Sequence, residues 1–167
     1  MAGGQKKVVV RSFGGELAWG YLPASGFVTT DYVDLMDPSG RVKSLTFSKI
    51  QWIAYVRDFN LDDPAEPERM GRKTFPGRPR TGGLWVRLTL QNDEVVEGLA
   101  EFDLGALEGL VEDRGLSMTP PDGRGNTLRL FIPRAAMKGL EVLGWVSSAP
   151  KVSKAKKPEE GQPGLFE

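Results

Sequence analysis

Val8-Val9-Val10-Arg11-Ser12-Phe13-Gly14-Gly15-Glu16-Leu17-Ala18-Trp19-Gly20 aligns without a gap on Val86-Arg87-Leu88-Thr89-Leu90-Gln91-Asn92-Asp93-Glu94-Val95-Val96-Glu97-Gly98. Each copy is a β-rich run, a short turn, a glutamate, a few mostly apolar residues and a glycine. Gly14-Gly15 and Asn92-Asp93 tolerate positive φ, which a tight hairpin turn needs, so both copies are predicted to be β-hairpins with two-residue turns. The downstream halves correspond as well: residues 45–49 align with 130–134, and Ile50, Ile53 and Val56 share a spacing with Met137, Leu140 and Leu143. A repeat of this length is a small domain rather than a solenoid unit.

Working outward, the first unit is predicted over residues 6–59, with strands at 8–13, 17–22, 33–36, 42–47 and 53–56. Asp37-Pro38-Ser39-Gly40 is a strong turn signal, and residues 48–50 have room for one helical turn. Five short strands with tight turns fit a small barrel that closes its own edges. A Pro/Gly/Arg-rich linker follows at 60–83, acidic at its start and basic after. The second unit, 84–147, carries an insertion at 103–111. There Asp103 can cap a short helix with Leu104, Leu107 and Val111 on one face. Residues 148–161 lack apolar periodicity and are predicted to be a disordered tether. The expected core comprises Val8, Val10, Leu17, Leu35, Leu45, Phe47, Ile53 and Val56, with Val86, Leu88, Val95, Leu130, Ile132, Leu140 and Leu143 in the second unit.

The 167 residues contain no cysteine and no histidine. Without them, Cys/His zinc sites, Cys/His nucleophile pairs and Ser-His-Asp triads have no residues to use. No Walker loop, dinucleotide fingerprint or HExxH occurs, so no catalytic residues, cofactor or metal are expected and the chain reads as a non-enzyme. No run approaches the roughly 18 apolar residues of a membrane helix, and residues 1–7 lack a secretory pattern. A cytoplasmic protein with no membrane contact is the expectation. Lys and Arg equal Asp and Glu at 22 each, but residues 84–147 carry six bases against ten acids. Nucleic acid, if bound, would therefore meet the first unit or the linker.

The first unit resembles the Sm-like family of small barrels. Val8, Val10, Gly15, Gly20 and Leu22 match that family's first motif in spacing, and Asp31 with Val33-Asp34-Leu35 resembles its later element. Val56-Arg57-Asp58 resembles the apolar-Arg-Gly triplet of its second motif, and Gly98 retains one glycine of the pair in the second copy. The resemblance implies an all-β fold with minor α content: two tandem Sm/SH3-like barrels packed as a pseudo-symmetric pair, with oligomers possible. It also implies a base-binding role for Arg57, while Asp34 replaces an expected asparagine and sets a carboxylate against phosphate.

Two further segments carry candidate sites. Gln162, Leu165 and Phe166 form a Gln-x-x-Leu-Phe pattern that resembles the motif by which bacterial proteins dock on the DNA sliding clamp. Apolar anchors on a flexible tail favour a protein partner. The linker bases Arg69, Arg72, Lys73, Arg78 and Arg80, with Arg57, are the nucleic-acid candidates. Gly77-Arg78-Pro79-Arg80 is similar to a minor-groove hook. Arg69 and Lys73, four apart, faintly resemble the start of cyclic-dinucleotide-binding PilZ barrels. The function expected is therefore a non-enzymatic adaptor docking a partner through its tail. The alternative is RNA or DNA binding, with a PilZ-like receptor or a carboxylate-based enzyme behind it.

Overall fold

The computed structural model describes residues 6–22, 32–100 and 115–147. The helical insertion expected at 103–111, Asp31, and the tail with Gln162, Leu165 and Phe166 lie outside them. The described chain is all-β, with no α-helix. It forms ten strands: β1 (Lys6–Ser12), β2 (Leu17–Leu22), β3 (Tyr32–Met36), β4 (Val42–Thr46), β5 (Ile50–Val56), β6 (Gly83–Leu90), β7 (Val95–Ala100), β8 (Gly115–Thr119), β9 (Thr127–Pro133) and β10 (Met137–Val146). Single 3-10 turns, Phe47–Lys49 and Arg134–Ala136, precede β5 and β10. None of these helices is long and apolar enough to cross a membrane.

All ten strands belong to one antiparallel sheet in the order β10-β6-β7-β8-β9-β5-β1-β2-β3-β4. Each half contributes five strands in the same internal order, its fifth beside its first. The hairpins of the repeat are equivalent in register: Val8 opposes Gly20 and Val10 opposes Ala18, as Val86 opposes Gly98 and Leu88 opposes Val96. The turns are one residue longer than expected. Gly15 N–H donates to Ser12 O and Ser12 N–H to Glu16 O, matched by Asp93 to Leu90 and Leu90 to Glu94. This is a three-residue loop closed by a left-handed residue, Gly15 at φ 89° and Asp93 at φ 70°. The shared glycine has a steric cause. A Cβ at Gly20 would lie 2.4 Å from Met36 O, and one at Gly98 2.4 Å from Met118 Sδ, because β3 and β8 cross closely there.

The alignment of residues 45–49 shifts by two from the sequence expectation, while that of Ile50 with Met137 holds, since these residues open β5 and β10. The 3-10 turns superpose residue 47 on 134, placing Leu45 with Ile132 rather than Leu130, which keeps the same face inward. The sheet is also a correction to two self-closed barrels: it is continuous and not closed. Closing the first half would need β4 against β5, but the outer edge of β5 is bonded to β9, and β4 ends the sheet on the far side. At this seam Ile53 opposes Phe131, Ala54 opposes Leu130 and Tyr55 opposes Arg129. The Arg129 guanidinium lies 5.1 Å from the Tyr55 ring, and Phe47 stacks on Phe131 at 6.0 Å.

β5 explains why the halves are inseparable in packing. Its sequence, IQWIAYV, is apolar on both faces, the pattern of a strand covered on two sides. Ile50 and Ile53 join Val8, Val10, Leu22, Val33 and Leu35 in one cluster. Trp52, Ala54 and Val56 turn the other way, with Val9, into the cluster built by Val86, Leu88, Leu90, Leu130 and Ile132. Three expected core positions on or near the second half's rim differ. Leu140 is exposed and Leu143 half-buried on β10, an edge strand with a neighbour on one side only, and Val95 is exposed as the first residue of β7, beside the hairpin loop. Leu17, Leu45 and Phe47 are partly buried and pack against the clusters.

Candidate functional site

Among the described residues a cleft of about 310 Å³ opens where the two repeated hairpin loops face the linker. Residues 11–15 and 92–94 form two walls, Gln51 and Trp52 of β5 the floor, and residues 65–73 the third side. The repeat therefore builds this site directly: each copy contributes its loop and the residues beside it.

Four charged side chains of the cleft, Arg11 with Glu68 and Lys73 with Glu94, are engaged in pairs. Glu68 is 1% exposed. Arg11 grips it with two bonds, Nε to Oε2 at 2.8 Å and Nη2 to Oε1 at 2.6 Å, and Trp52 Nε1 donates to Oε2 at 3.0 Å. Burial of a carboxylate is tolerable only with such partners. The Arg11 guanidinium is raised above its ordinary value by the Glu68 hydrogen bond, against the opposing effect of its own burial. Opposite, Gln51 Nε2 donates to Glu94 Oε1 at 2.6 Å, and Lys73 Nζ pairs with Glu94 while lying 5.8 Å from the Trp52 ring. Burial pushes the Glu94 carboxyl up, but the bonds from Lys73 and Gln51 more than offset it and hold it below the ordinary value. A carboxylate held low is a poor general acid near neutral pH.

The linker is woven into the sheet. Asn126 Nδ2 donates to Asp58 O and Pro67 O at 2.8 and 2.9 Å, and its N–H to Arg69 O at 3.0 Å. Thr127 Oγ1 donates to Glu68 O at 2.9 Å. On β7, Glu97 N–H donates to Lys73 O, and Phe75 N–H donates to the Glu97 carboxylate. Burial raises the Glu97 carboxyl, yet Phe75 N–H, Trp85 Nε1 and Arg87 together hold it below its ordinary value.

The nucleic-acid candidates are scattered rather than gathered. Arg57, at the end of β5, donates to Gly125 O at 3.3 Å. Arg69 pairs with Asp63 at 3.3 Å and Asp62 at 3.6 Å, so the acidic start of the linker neutralises its basic part. Lys73 alone enters the cleft. Arg78 donates to Trp145 O at 3.0 Å. Arg72 and Arg80 are exposed, with no ion pair among the described residues. Asp34 accepts from Ser44 Oγ at 2.6 Å on β3, with no contact to Arg57. Sequence reasoning missed Arg11, Gln51, Trp52, Glu68 and Glu94. The signal was a charge next to an unbroken Val-Val-Val run, since a charge inside an otherwise buried strand needs a partner.

Among the described residues no group of His, Cys, Asp and Glu is placed to hold a metal ion. Fold and cleft together define an all-β protein made of a duplicated five-stranded unit, with an internally paired polar cleft between the two repeated loops and the linker. Residues 4–144 match a family of unknown function (DUF6982), to which the chain belongs. No curated protein and no solved structure matches it.

Proposed function

We propose that the chain is a cytoplasmic, non-enzymatic binding protein built on a duplicated Sm-like unit. It docks a protein partner through Gln162, Leu165 and Phe166, with the bacterial sliding clamp as first candidate. The five-strand order common to both halves supports the Sm-like reading. The observation that carries the functional reading is the state of the cleft: Arg11, Lys73, Glu68 and Glu94 are already matched within the chain. Recognition is thereby left to the surface and to the short apolar motif. A linear motif of this size binds in the micromolar range, because ordering entropy offsets much of its contact energy. If residues 148–161 are a flexible tether, they span roughly 20 Å r.m.s., enough to free the sheet while the motif is held.

The test is capture by purified clamp. Leu165→Ala/Phe166→Ala should abolish it and leave the melting temperature unchanged. A drop of several degrees would assign the motif to the protein's own core, and no binding of the wild-type peptide would remove the clamp. The second reading, nucleic-acid binding, rests on Arg72 and Arg80, exposed and without an ion pair among the described residues, with Arg57. It requires affinity that falls with log salt at a slope near the number of phosphates contacted. Absence of oligonucleotide binding at low salt eliminates it.

A further inference from the structure

The ion pairs of the cleft leave one buried polar atom over. Gln51 lines the cleft floor and is 3% exposed. Its bond to Glu94 settles which way its amide lies. The Glu94 carboxyl is held below its ordinary value, so near neutral pH its oxygens only accept. The amide nitrogen therefore faces Glu94, Nε2 to Oε1 at 2.6 Å, and the amide oxygen is the end turned away. Among the described residues no N–H or O–H donates to that oxygen. A buried amide oxygen without a donor is unfavourable, and in a cleft it calls for a donor that enters from outside the chain.

The charge of the lining gives the sign of that donor. Glu66, Glu68 and Glu94 stand against Arg11 and Lys73, three acids to two bases. Arg11 takes Glu68 and Lys73 takes Glu94, while Glu66, exposed on the linker wall, makes no ion pair among the described residues. An entering anion meets the surplus carboxylate unfavourably, and an entering cation balances it. The cleft already holds one ammonium in this way: Lys73 Nζ rests on the Glu94 carboxylate and 5.8 Å from the Trp52 ring. The donors left over, on Arg11 and Lys73, belong to side chains that water reaches, 21% and 47% exposed, so they do not call for an acceptor as Gln51 calls for a donor. We propose that the cleft is a binding site for a small organic ammonium ion, which donates to Gln51 Oε1 while its charge balances Glu66. Phe13 and Met70 supply apolar lining for a short alkyl chain. The volume of about 310 Å³ lies at the lower end for small-molecule sites, which suits a free amine rather than a lysine carried on a peptide. This adds a small-molecule site to the docking of a protein partner through the tail, and neither depends on the other.

Titration of the nitrogen-15-labelled full chain with butylamine near neutral pH, followed by NMR, tests this. Butyrate and 1-butanol, of similar size but anionic and neutral, are the controls, and a lysine peptide with blocked ends is the third arm. Butylammonium should shift the Trp52 indole N–H and the amides of 11–15, 66–73 and 92–94 together and saturably. Half-saturation should be roughly millimolar, the range open to a ligand of so few atoms. The controls should leave these signals in place. Glu66→Gln keeps the side-chain shape and removes the charge; it should weaken binding roughly tenfold and leave the melting temperature unchanged. Gln51→Met should abolish the saturable shift, and if that variant fails to fold, Glu66→Gln decides alone. The proposal is overturned by wild-type protein that shows no saturable shift at tens of millimolar butylamine, or by butyrate or butanol moving the same signals as strongly. Affinity untouched by Glu66→Gln overturns it too, and so does binding of the lysine peptide without binding of butylamine.

Discussion

Arg11 and Glu68 carry the highest local stake in the molecule. Glu68 has 2% of its side chain exposed and three hydrogen bonds from two donors, so removing the guanidinium leaves a buried charge with only Trp52. Arg11→Met should destabilise the fold by about 3–5 kcal/mol, the usual effect of breaking a buried pair on one side. The double change Arg11→Met/Glu68→Met should recover most of that loss, because two apolar groups replace two desolvated ions. Chemical denaturation of the single and double variants measures both. A double variant no more stable than Arg11→Met would mean that the carboxylate is solvated when unpaired. Arg11 was legible only as a charge beside the unbroken Val8-Val9-Val10 run, which calls for a partner without naming one. The partner, Glu68, lies in a segment whose composition reads as a solvated strap.

At the scale of elements, the linker is held by carboxylates. Glu94 binds Lys73, and Glu97 receives Phe75 N–H while its own N–H donates to Lys73 O. Both carboxyls lie below their ordinary 4.5 in the fold. Groups with depressed folded values stabilise fully above the unfolded value and lose that contribution as pH falls through the folded one. Residues 72–76 should therefore detach as the medium is acidified below about 4.5, ahead of the sheet. Hydrogen exchange across an acid series reads this directly, and simultaneous loss of linker and sheet protection would refute it. The strands themselves were largely legible. Leu17–Leu22 matches its expected bounds, and β3 and β4 fall within a residue of theirs. Alternation and turn residues are local, so they survive in sequence. The exposure of Leu140 was not legible, because whether a strand lies at an edge depends on strand order, which no local pattern encodes.

For the whole molecule, the duplication is real in strand order yet the halves do not pack as independent bodies. Val9, Trp52, Ala54 and Val56 of the first half complete the second half's cluster. Burying each large apolar side chain is worth about 1.5–3 kcal/mol, a substantial share of a small domain's stability. A chain ending after residue 59 should consequently lack a cooperative thermal transition, and circular dichroism with heating decides it. A sharp transition in that fragment would show that the second face of β5 is dispensable. The repeat in 8–20 and 86–98 announced the two units but not their junction, since the β5–β9 pairing has no counterpart within either copy.

That seam also constrains the order of events as the chain leaves the ribosome. β5 is made long before β9, and until β9 emerges one flank of β5 has no strand to bond and Trp52 no completed cover. Pairings so distant in sequence form slowly, because loop closure must precede the contacts that reward it. The first hairpins can assemble early, but the nascent chain holds an open, apolar strand until β9 is synthesised. Its period of greatest exposure to aggregation and to chaperones therefore runs from the emergence of β5 to that of β9.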